Sequence, residues 1–144
     1  MILNILCVAF GGALGASLRY VISLVPVKSV FPFQTFFTNI LGCFIVGAIA
    51  ALAAGAVHKA DGQISPALVL FLKTGFCGGF TTFSTFALES AGLFSGGHAS
   101  AGGVYVALTL ISGIICVYLG ELAAGFILGK ECAVQRTVLF SKIY

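Results

Sequence analysis

The residues of this chain with the most chemistry in their spacing lie in the run Gly75-Phe-Cys-Gly-Gly-Phe-Thr-Thr-Phe-Ser-Thr-Phe86. Three glycines and four hydroxyl residues fall within these twelve positions. Glycine weakens a helix through backbone entropy, and Ser and Thr offer the backbone competing hydrogen bonds. Apolar residues flank the run on both sides, which places it inside a bilayer rather than in a flexible linker. Unwound backbone at that depth survives only when buried in protein or lining a wet cavity. Free carbonyls at such a break can bind a cation, and a helix restarting at Thr81 or Thr82 presents N–H groups to an anion. The chemistry indicated is the handling of ions.

Other polar residues recur at helical spacing. Thr35 and Asn39 are four apart, and Tyr105, Thr109, Ser112 and Cys116 share one face of a later helix. Such groups do not face lipid. For each hydroxyl taken alone, a bond to its own helix is an adequate explanation; for Asn39, pore lining and interhelical glue weigh equally. Together the stripes favour a polar pathway. Arg19, Lys73, Glu89 and Glu121 lie at or near membrane depth, where an ionisable residue is a functional candidate by default. Arg19 stands near a helix end from which it can also snorkel. Glu121 suggests no specific role. Phe83 and Phe86 share a face beyond the break, and on spacing alone lipid contact is sufficient to explain them.

The elements that must hold these residues follow from composition. The chain is 60% hydrophobic and 8% charged, with mean hydropathy +1.16, where a soluble domain is about a quarter charged. Four stretches of about 20 apolar residues fit the length, each enough for one membrane crossing. The pattern predicts helices over 2–24, 32–57, 67–94 and 101–128, the third broken mid-membrane. The fold class is thus an all-α membrane protein with four transmembrane helices, in a transmembrane domain over 1–129 and a short tail over 130–144. The stretch 58–66 is the most polar internal connection. Gly11 and Gly15 form one GxxxG, Gly75 and Gly79 another, and such pairs suggest close packing against partner helices. The first apolar run has no basic residues before it and no clear cleavage site, so it reads as retained rather than as a signal peptide. The five cysteines show no CxxC pairing, hence no disulfide framework or zinc site. The net charge of +3 is scattered, which speaks against nucleic acid. Two histidines, no paired carboxylates and no nucleophile elbow give no support to an enzyme. Lys59, Lys130, Arg136 and Lys142, with Lys73 near that end of the third helix, nominally place both termini inside, opposite Lys28 and Arg19; without the tail the bias is nearly flat.

Three segments together resemble the Fluc/CrcB fluoride channels. Gly11-Gly-Ala-Leu-Gly-Ala-Ser-Leu-Arg-Tyr20 is similar to that family's GGxxGAxxRY signature, Asn39-Ile-Leu-Gly42 to its Asn-xx-Gly pattern, and Gly75 to Phe86 to its GxxGGxTTFSTF signature. The resemblance covers all four helices, and the tail is longer than the family norm. It implies antiparallel, dual-topology dimers, with two fluoride pores and a central sodium ion held by main-chain carbonyls matching Gly78 and Thr81. It implies pore roles for Asn39, Phe83 and Phe86, for the hydroxyls Ser84 and Thr85, and for a polar track of Thr35, Glu89, Tyr105 and Thr109. Gly113 stands where the family has a further hydroxyl, and Ser112 is the neighbouring substitute. Arg19 matches a vestibule arginine. The function implied is passive, fluoride-selective export across the inner or plasma membrane, conferring fluoride resistance.

Two rivals stand beside it. A fluoride/proton antiporter or a small multidrug-type exporter is the transporter alternative, but the latter wants a carboxylate in the first helix, which holds Arg19 and no acid. A purely structural subunit has no use for a glycine-rich break. Homodimer and heterodimer stay open.

Overall fold

Four helical spans long and apolar enough to cross a bilayer make up the protein: Ile2–Ser23, Phe33–Ala54, Pro66–Ser95 and Ala99–Phe126. They are seen in a computed structural model that describes residues 1–56 and 64–128. The polar connection centred on Lys59 and the tail at 130–144 lie outside the described residues. The helices are α1 (Ile2–Ser23), α2 (Phe33–Ala56), α3 (Pro66–Val69), α4 (Gly78–Phe80), α5 (Phe83–Ser95) and α6 (Ala99–Leu128), with a π-helical stretch at Leu70–Cys77 joining α3 to α4. The third span therefore runs α3, π-helix, α4, break, α5. No strand occurs among the described residues. This is a multi-pass membrane protein.

The spans pair in two layers. One is α1 against the π-helix and α4; the other is α2 along α6, with α5 also on α6. Glycines set both seams. A Cβ on Gly11 would meet the Phe71 carbonyl, one on Gly15 the Phe76 carbonyl, and one on Gly79 the Gly12 carbonyl. The two GxxxG pairs are thus used against each other within one chain. The partner helices that the spacing calls for thus lie within the same chain: lipid offers helices little hydrophobic incentive to associate, so backbone approach itself holds the layer together. In the other seam Gly47 packs on Val117 and Gly120 on Phe44.

Helix ends follow local chemistry. Pro66 opens α3 at its first turn, where its missing N–H costs nothing. Gly97, at φ +80°, closes α5: the His98 N–H reaches the Leu93 carbonyl at 2.9 Å and the Gly97 N–H reaches that of Phe94 at 3.4 Å. This Schellman turn needs a left-handed residue, and glycine is the one that adopts it freely.

The break differs in extent from the glycine-based expectation. Gly75, Gly78 and Gly79 are all helical, and only Thr81 and Thr82 are extended, with ψ of 157° and 114°. Gly75 and Gly79 serve close packing, while the threonines interrupt the helix.

Candidate functional site

The break is fixed from three sides. Phe80, at the end of α4, is 1% exposed and stacks on Phe76 with ring centroids 5.8 Å apart. Gly42 on α2 leaves room for the methyl group of Thr81, which any side chain at 42 would strike. Asn39, one turn earlier, clamps the next residue: the Thr82 N–H donates to Asn39 Oδ1 at 2.8 Å, and Asn39 Nδ2 donates to the Thr82 carbonyl at 3.1 Å. The Asn-xx-Gly spacing thus puts a two-bond clamp and a gap on one face of α2. Asn39 is glue, and its second Nδ2 hydrogen remains for another acceptor.

Thr82 then caps α5. Its Oγ1 accepts the Thr85 N–H at 3.2 Å and lies 3.0 Å from Thr85 Oγ1 and 3.3 Å from Ser84 Oγ. The other first-turn N–H groups of α5 lack helical acceptors. On the opposite side, Arg19 Nε donates to the Gly79 carbonyl at 3.3 Å. A guanidinium there offsets the negative end of the first half-helix. Among the described residues no hydrogen-bonded acidic group offsets the positive end of α5, so the break favours an anion on the α5 side. Arg19 sits behind the break and is not part of the groove described next.

That groove, about 490 Å³ in volume, is lined by Asn39, Gly78, Thr81, Thr82, Phe83, Phe86 and Thr109, and farther along by Lys73, Cys43 and Cys77. Phe83 is 76% exposed in the single chain, whereas Phe86 is 6% exposed and packs on Tyr105 at 5.2 Å between ring centroids. The two phenylalanine rings lie 5.8 Å apart and are tilted by 47°.

A second cluster adjoins it. Thr35 Oγ1 and the Tyr105 hydroxyl each donate to one carboxylate oxygen of Glu89, both at 2.8 Å. Glu89 therefore ties α2, α5 and α6 together. Phe31, Phe36, Phe86 and Leu93 pack around Tyr105. Thr109 donates to the Tyr105 carbonyl at 2.7 Å, and Ser112 donates to the carbonyl of Leu108 on its own helix. Ser112 is in neither cluster; Gly113 faces the groove in its place. Phe86 and Thr109 join groove and cluster.

Sequence reasoning missed Thr38, which is 1% exposed and bonded to carbonyls of its own helix, and it missed the pairing of Asn39 with Thr82. A Thr-xx-Thr spacing at a helix restart was the available signal for the cap.

The arrangement offers hydrogen-bond donors, ring edges and a half-helix N-terminus around a groove, and no nucleophile paired with a base. We expect Phe83→Ile and Phe86→Ile each to reduce ion flux, since aromatic ring edges carry partial positive charge that isoleucine lacks. Because Phe86 is buried within the chain and Phe83 is not, Phe86→Ile should also lower the stability of the subunit itself, by about 1–3 kcal/mol. Wild-type flux in both variants, measured in liposomes, would reduce the rings to packing.

Over residues 6–121 the chain matches the family model described as CrcB-like protein, Camphor Resistance (CrcB). It is 41% identical over 128 residues to the fluoride-specific ion channel FluC of Chlorobium chlorochromatii, covering 88% of this chain and 95% of the relative. It is 44% identical over 123 residues to the protein of that name in Chlorobaculum tepidum, covering 84% and 94%. To the fluoride-specific ion channel FluC 1 of Listeria innocua the identity is 42%, over 83% of this chain and 96% of the relative.

Proposed function

Since the chain belongs to the CrcB family, we propose that it is a fluoride-selective passive channel that lets fluoride leave the cytoplasm. The observation that carries this reading is the similarity, over most of the chain, to relatives named as fluoride-specific channels. The site's chemistry supports it. Fluoride is small and strongly hydrated, so donors must replace its water. The second Asn39 hydrogen, the hydroxyls of Ser84 and Thr85, the first turn of α5 and the edges of Phe83 and Phe86 are donors of that kind. Thr35, Glu89, Tyr105 and Thr109 hold the helices that carry them. Neutral HF enters from acidic surroundings and dissociates inside, and the membrane potential then drives the anion out without coupling. A fluoride current that persists at equal pH on both sides is expected; a current that vanishes without a proton gradient would favour the antiporter.

The proposal extends to assembly. Phe83 lies 76% exposed beside an open groove, as a surface awaiting a second copy does. We assign that copy to an antiparallel orientation, which aligns two breaks. The residues at the break fit a sodium ion. The α-helical donor of the Gly78 carbonyl, the Thr82 N–H, is taken by Asn39, and that of the Thr81 carbonyl, the Thr85 N–H, is taken by Thr82 Oγ1. Gly78 also has open space around its Cα. Bound there, sodium supplies positive charge that lowers the cost of an anion nearby. Replacing all sodium by a bulky organic cation should then slow fluoride flux and loosen the dimer in detergent; an unchanged dimer with unchanged flux would remove sodium from the account.

A further inference from the structure

We propose that Lys73 is an anion-capturing residue of the groove, drawing fluoride in from the aqueous end and setting the concentration at which flux half-saturates. The inference rests on the fluoride-channel reading. Lys73 is the one charged residue lining the groove among the described residues, and no acidic residue lines it with Lys73. It is half-buried and stands seven residues after Pro66, two turns into the span. The neighbouring wall is Val46, Ile114 and Val117. An ammonium against such a wall is costly unless it serves a pathway or reaches water.

Its place along the wall is ordered. Cys77 follows one turn after Lys73, then Gly78 and Thr81, then Thr82 and Phe83, where α5 begins. The groove therefore carries positive charge at both ends of one wall, the ammonium toward the membrane edge and the α5 N-terminus at the break. Arg19 meanwhile offsets the carbonyl end from behind. Low-dielectric walls focus such a field and raise the local concentration of the attracted ion. Glu121, a carboxylate on α6, is outside the groove lining.

The test is fluoride efflux from liposomes over a range of fluoride concentrations, at low and high concentrations of an impermeant salt. At low salt and low fluoride, K73Q should pass fluoride about tenfold more slowly than wild type. The two should converge at saturating fluoride, and K73R should stay near wild type. Added salt should raise the half-saturating concentration of the wild type and leave K73Q unmoved, because screening removes what the mutation has already removed. Should K73Q not give a stable protein, K73M, uncharged and of similar length, replaces it, and the wild-type salt response needs no variant. K73Q or K73M with wild-type flux at low salt and low fluoride, or a salt-independent wild type, overturns the proposal and leaves Lys73 as a side chain that snorkels to the headgroups. A wild type that passes no fluoride would instead defeat the channel reading beneath it.

Discussion

Asn39→Leu should destabilise the protein more than any other single change in the groove and should abolish measurable flux. Leucine fills similar space but leaves the Thr82 N–H and carbonyl without their partners at 2.8 and 3.1 Å. Each buried orphan costs about 1–3 kcal/mol, so the pair together costs about 2–6 kcal/mol unless the break rearranges. Rearrangement is itself informative. The Thr82 N–H would then return to the Gly78 carbonyl, the helix would become continuous, and the capped start of α5 would be lost. Asn39→Asp separates fold from flux. It keeps the acceptor for the Thr82 N–H, loses the donor to the Thr82 carbonyl, and sets a carboxylate beside the groove. It should unfold between wild type and Asn39→Leu, while its flux should be as low as that of Asn39→Leu. Thermal unfolding in detergent read beside liposome flux checks both. An Asn39→Leu protein as stable as wild type would show that the clamp does not hold the break.

Gly15→Ala is expected to have the next largest effect. The added methyl group points at the backbone of Phe76 and Phe80, not at the end of a flexible side chain. Backbone cannot move aside, so α1 must retreat from the third span, at a cost of about 1–3 kcal/mol or more. Arg19 stands one turn beyond Gly15 on the same helix, so the same retreat draws its guanidinium away from the Gly79 carbonyl and weakens the break along with the seam. Gly103→Ala is the matched control, because nothing lies within 4 Å of the Cβ it would add. Gly103→Ala should melt with the wild type and Gly15→Ala well below it. Equal melting of the two would mean that the glycine seam is loose.

The residues differ in how much of this was readable in advance. Spans of apolar residues announce themselves, because lipid forces every backbone group into a helix, and the ends of the four spans fall within three residues of expectation. The break was readable from Thr81 and Thr82, since hydroxyl side chains compete for backbone bonds. Its extent was not: Gly75 and Gly79 look like helix breakers in one dimension, yet they stay helical with Gly11 and Gly12 packed on them. Spacing shows that two glycines share a face and says nothing about which helix meets that face. The same gap hid the clamp. Asn39 and Thr82 are 43 residues apart, and no local pattern pairs them. Thr35, Glu89 and Tyr105 were grouped by resemblance as a track; the structure joins them as a triad because three helices converge on one carboxylate. Arg19 reads as a free cation in sequence, and only the packing of α1 on α4 gives it a carbonyl to cap.

Selective fluoride passage is tested most directly by loading liposomes that contain the protein with fluoride or with chloride and following discharge of each gradient under the same electrical driving force. The donors around the groove, matched to a small and strongly hydrated anion, predict rapid discharge of fluoride and no discharge of chloride above protein-free liposomes. Discharge of both ions at equal rates, or of neither, would contradict a fluoride-selective channel.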